Sequence, residues 1–69
     1  MPEICRLWVD PPGEAGRAIE ILKKTMRVHA SPNADHGIIN INCSDMDEAI
    51  NILKAEGIES RPFKIGGKI

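Results

Sequence analysis

The sequence predicts an α+β sandwich of order βαββαβ, with two helices on one face of a four-stranded antiparallel sheet. Three features predict it. Short alternating runs at residues 4–9, 26–31 and 38–43 read as strands. Two stretches between and after them carry apolar residues at helical spacing. One of these stretches echoes the other. Ala18-Ile19-Glu20-Ile21-Leu22-Lys23 recurs as Ala49-Ile50-Asn51-Ile52-Leu53-Lys54, at the same place in each helix. Two similar βαβ halves are what a split-βαβ sandwich requires.

In the first strand Cys5, Leu7 and Val9 alternate with Ile4, Arg6 and Trp8. Asp10-Pro11-Pro12-Gly13 stops it, because two prolines cannot continue a central strand. Asp10 is the predicted N-cap of a helix over residues 12–25. Its apolar stripe is Ala15, Ala18, Ile19 and Leu22, and Lys23 and Lys24 complement the dipole in its last turn. Gly16 inside it marks an expected close backbone approach. The second strand sets Met26, Val28 and Ala30 against Arg27, His29 and Ser31. A turn covers residues 32–37 by composition. The third strand sets Ile39, Ile41 and Cys43 against Ile38, Asn40 and Asn42.

The second helix starts at Asp45 with Glu48, or at Ser44 with Asp47, both at capping-box spacing. Met46, Ala49, Ile50 and Leu53 form its stripe. Gly57 is the expected left-handed cap, with Ile58 packing back. A last strand covers residues 59–65, at a sheet edge because of Pro62, and residues 66–69 form a tail. Together these elements make a ferredoxin-like sandwich. Right-handed crossovers put both helices on one face. The expected strand order is 4-1-3-2, with the first and third strands antiparallel neighbours. That order brings Cys5 close to Cys43, both pointing at the helices.

With 69 residues the chain makes one domain, with its core over about residues 4–65. A core this thin calls for added support from a dimer, ligand, metal or disulfide. A net charge of −1 argues against a dedicated nucleic-acid binder. No apolar run approaches a membrane span. Residues 1–10 lack the basic start and apolar stretch of a signal peptide, so a cytoplasmic protein with reduced Cys5 and Cys43 is expected.

Cys5, His29, His36 and Cys43 are the soft metal ligands available, without CxxC or HxxxH spacing. Alternation puts the cysteines and His29 on opposite sheet faces, so no metal site within one chain is expected. His29 or His36 ligating across a dimer remains open, as does a metal or thiol sensor. Buried strand thiols have no base or electropositive setting, and the carboxylates read as helix surface and caps. No catalytic centre and no cofactor are therefore predicted. The open sheet face carries Arg6, Trp8, Arg27, His29, Ile38, Asn40 and Asn42. A Trp beside Ile and Arg suits a contact surface, with Arg6, Trp8, Ile38 and Asn40 at its centre. RNA-reading sheets stack two or three aromatics there, whereas this chain has only Trp8 and Phe63. The Asp10–Gly13 turn also offers main-chain N–H groups at a helix start.

Asp10-x-Pro12-Gly13, between an alternating strand and an amphipathic helix, resembles the start of an ACT domain. Ala18-Ile19-Glu20-Ile21-Leu22, Met26-Arg27-Val28, Ile39-Asn40-Ile41 and the run from Asp47 to Ile58 continue the likeness over residues 4–61. Ala15-Gly16 and Met26-Arg27 depart from the family pattern. The resemblance implies a regulatory module that binds an amino acid at a homodimer interface. Its site would involve Asp10, Pro12 and Gly13, with His29 and Ser31 from the second strand. A single such domain would control a partner enzyme in trans. The rival reading from the residues is a ligand-free module docking through the open face.

Overall fold

The computed structural model describes residues 3–63. β1 runs from Ile4 to Asp10, β2 from Ile38 to Asn42, and β3 from Glu59 to Pro62. They form a three-stranded sheet of order β2-β1-β3, both pairs antiparallel. This corrects the expected four-stranded 4-1-3-2 sheet. β3 lies at an edge, where Pro62 needs no ladder donor. The strand ends at Pro62, one residue before Phe63, and residues 64–69, the rest of the expected last strand and the tail, lie outside the described residues.

The missing strand has a local cause. Residues 26–31 run beside β2 but join it by one isolated bridge, Val28 to Ile41. The His29 N–H donates to the Asn40 carbonyl at 2.8 Å. Beyond that bond, side chains take over. The Asn40 N–H donates to Ser31 Oγ at 3.0 Å, and the Ser31 hydroxyl donates to the His29 carbonyl at 2.9 Å. Asn40 Nδ2 donates to the Ala30 carbonyl at 2.8 Å. Short polar side chains thus occupy the positions a ladder would use.

α1 covers Ala15–Leu22, after a 3₁₀ turn at Pro12–Glu14, so it is shorter than the expected helix. Pro11 occupies the cap position ahead of that turn, and its carbonyl accepts the Glu14 N–H at 2.9 Å. Asp10 makes no cap hydrogen bond there, and Lys23 and Lys24 lie past the helix. A Cβ on Gly16 would meet nothing within 4 Å, so no close approach occurs there. The close approach is at Gly37, with φ +86°, where a Cβ would stand 2.7 Å from the Val9 carbonyl oxygen. This seats the turn before β2 against the start of the first crossover.

α2 covers Met46–Ala55 after a 3₁₀ turn at Cys43–Asp45. Asp45 sits at the cap position without a side-chain cap bond, so the expected capping box does not form. Instead the Met46 N–H donates to the Cys43 carbonyl. The helix ends as the sequence predicts. Gly57 has φ +80°, and the Ile58 N–H reaches back to the Leu53 carbonyl at 2.8 Å.

Leu7 and Val9 of β1 and Ile39 and Ile41 of β2 form one core with Ala18 and Leu22 of α1 and Ala49 and Leu53 of α2. Both helices therefore cover the same sheet face. The alanines let the helices sit close, and each buried leucine contributes about 1.5–3 kcal/mol. Cys5 and Cys43 are neighbours, as the register predicts, but they are bonded to each other rather than reduced. The Cys43 N–H donates to the Glu3 carbonyl at 2.8 Å, which holds the two Cα atoms 4.8 Å apart, within disulfide reach. Among the described residues no helix is long and apolar enough to cross a membrane.

Candidate binding surface

The sheet face away from the helices is built by alternation along β1. Leu7 and Val9 point into the core, so Ile4, Arg6 and Trp8 point out. Register then sets their neighbours. Arg6 lies opposite Asn40, and Trp8 lies between Ile38 and Arg61. The Phe63 N–H donates to the Arg6 carbonyl at 2.9 Å, which extends the pairing past β3. Arg6, Trp8, Ile38 and Asn40 are thus brought together on one face.

The Arg61 guanidinium stands 4.5 Å from the centre of the Trp8 ring, a cation–π contact. Ile38 is nearly buried beside Trp8, while Ile4 at 55% and Phe63 at 38% remain exposed. Asn40 Oδ1 is buried without a hydrogen-bond partner. An acceptor left unpaired this way costs about 1–3 kcal/mol. Among the described residues Arg6 forms no salt bridge and no side-chain hydrogen bond.

Three open clefts meet at Phe63. One of about 530 Å³ is lined, among the described residues, by Ile4, Cys5, Arg6, Asn40, Met46, Pro62 and Phe63. A second of about 440 Å³ has Arg6, Asn33, His36, Ile38 and Phe63. A third of about 420 Å³ lies between Trp8, Arg61, Pro62 and Phe63. Arg6 is shared by the first two. Volumes of this size suit small organic molecules.

The site carried over from the family likeness is divided. Asp10, Pro12 and Gly13 are exposed at the end of β1. His29 and Ser31 lie beyond β2, and both are engaged. His29 Nε2 donates to Asn42 Oδ1 at 2.7 Å, and Ser31 bonds to backbone on both sides. Among the described residues no hydrogen bond joins the two groups. Gly13 does stand in open space, as a ligand-accepting glycine would. Arg27 is exposed. His36 lies 3.9 Å from Asp35, both highly exposed, a pairing of little energetic weight. Among the described residues no group of three His, Cys, Asp or Glu could hold a metal ion.

Sequence reasoning missed Phe63, Arg61 and Met46. For the first two a signal existed. Alternation from Glu59 puts Glu59, Arg61 and Phe63 on one face, beside Trp8. No family model matches the chain, and comparison with curated proteins and with solved structures gives no significant match. The likeness to ACT domains rests on the residues that carry it.

Proposed function

We propose that this protein is a non-catalytic binding module whose open sheet face takes a small organic anion, an amino acid or a related carboxylate with an apolar body. The observation that carries this reading is Arg6: an exposed guanidinium shared by two clefts, with no acidic partner among the described residues. A carboxylate accepts two parallel bonds from such a group. The apolar body of the ligand would lie against Ile4 and Phe63 on the open face and against Met46, which enters the same cleft from the helix side. The site moves from the Asp10–Gly13 turn to the sheet face, while the class of ligand stays that of the family likeness. The clefts are shallow, and a second copy across the face would enclose the ligand further, which favours a homodimer as the working form. Ligand binding would regulate a partner only through a preference for one state.

The test is an amide NMR titration with the twenty amino acids and phenylacetate, for the native chain and Arg6→Gln. Saturable shifts at Ile4–Arg6, Asn40 and Phe63 are expected. Arg6→Gln should weaken binding about tenfold or more, since a bond to a charged group is worth about 1.5–3 kcal/mol. Shifts confined to Asp10–Glu14 would return the site to the turn. The absence of any shift would end the reading.

A second reading is favoured by the Trp8–Arg61 stack, an aromatic and arginine pair of the kind that anchors protein interfaces. On this reading two copies pair through the open face without a ligand. Sedimentation of the native chain and Trp8→Ala would decide it, because a dimer unchanged by the substitution places the interface elsewhere.

A further inference from the structure

We propose that the Cys5–Cys43 disulfide is a reversible brace that sets the shape of the cleft at Arg6, so that reduction lowers ligand affinity. The ligand part rests on the binding reading above. Cys5 itself lines that cleft, together with Met46. Cys43 opens the 3₁₀ turn that launches α2, and Met46 is the first residue of that helix. The bond therefore ties two walls of one cleft, the start of β1 and the start of α2.

Three features fit a bond that breaks without unfolding the chain. Both cysteines are half-buried, not sealed in the core. The buried cluster of Leu7, Val9, Ile39, Ile41 and their helix partners does not include them. The Cys43 N–H to Glu3 carbonyl bond holds the two segments together independently of the sulfurs. The sequence has only two cysteines, so reduction yields one defined dithiol with no reshuffling. The chemistry is thiol–disulfide exchange with a dithiol reductant. A reductant thiolate attacks one sulfur and the S–S bond breaks. The second reductant thiol then closes its own disulfide, and two protons end on Cys5 and Cys43. In a reducing compartment, disulfides of this kind are transient or sensing ones.

The experiment compares oxidised protein with protein treated with dithiothreitol, by thiol titration, amide NMR and phenylacetate binding. Reduction should release two thiols per chain and shift the amides of Ile4, Arg6, Met46 and Phe63. Core amides such as Ile39 and Leu53 should hold, and phenylacetate affinity should fall about fivefold or more. Equal affinity in both forms would overturn the brace and leave the binding reading standing. Global loss of dispersion would also overturn it, by making the bond a staple of the whole fold. If neither phenylacetate nor any of the twenty amino acids binds either form, the binding reading fails by itself. The amide shifts then decide whether the bond sets the cleft: shifts at Met46 and Phe63, which line the cleft without adjoining either cysteine, uphold the brace, and shifts confined to the cysteines and their chain neighbours remove it. A Cys5→Ala/Cys43→Ala variant should reproduce the reduced spectrum, and one that matched the oxidised spectrum would count against the proposal.

Discussion

The two halves of the chain share a six-residue echo and differ in how their helices end. α2 closes on Gly57 in the left-handed region, and Ile58 turns into the core at 3% exposure. The chain then enters β3 at once. After α1 no glycine follows. The Thr25 and Met26 N–H groups both return to the Leu22 carbonyl, at 3.0 and 2.9 Å. The next segment then makes one β-bridge to β2, at Val28, and otherwise meets it through the His29 N–H and the side chains of Ser31, Asn40 and Asn42. One half delivers a strand and the other a single bridge. A matching helix stripe is enough to repeat the core contacts. It is not enough to repeat the strand, which depends on the exit from the helix and on what the next side chains bond to.

The comparison can be broken most forcefully in the core. Leu22 and Leu53 hold equivalent places in the echo, and both are fully buried. Leu22→Ala and Leu53→Ala should each cost about 2–5 kcal/mol in urea unfolding. If Leu22→Ala costs under about 1 kcal/mol, well below that range, the first half does not share the cooperative core. A smaller effect sharpens the difference between exits. Gly57→Ala should cost about 1–2 kcal/mol, because a side chain is disfavoured in the left-handed region. Smaller still is Ser31→Ala, at about 1 kcal/mol. It should also speed hydrogen exchange at the Asn40 amide, which now donates to Ser31 Oγ. Unchanged exchange there would mean that a backbone partner replaces the hydroxyl.

What was legible in the sequence is what short periods and single residues encode. Two-residue alternation placed Leu7 and Val9 inside and Arg6 and Trp8 outside. The same alternation grouped Arg6, Trp8, Ile38 and Asn40 on one face. Gly57 was legible because one residue decides the sign of φ there. Register also foretold that Cys5 and Cys43 would meet. Their bond was not legible, because expected redox state came from an inferred compartment rather than from geometry. Residues 26–31 alternate like a strand, yet Ser31 and Asn40 redirect the hydrogen bonds across nine positions of sequence. No local pattern reports that. Asp45 stands at the cap position the spacing predicts, but its side chain makes no cap bond, and the 3₁₀ turn before the helix satisfies only the Met46 N–H, through the Cys43 carbonyl.

β1 stands in the middle of the sheet, and both ladders pass through it. Its partners come late in the chain, at Ile38–Asn42 and Glu59–Pro62. β1 is therefore without a partner until the first crossover is complete. Closing such distant contacts slows folding relative to a chain of local hairpins. The β1–β2 pair needs nothing from β3, which bonds to the other side of β1. The last strand then adds to a prepared edge, whereas neither ladder exists without β1.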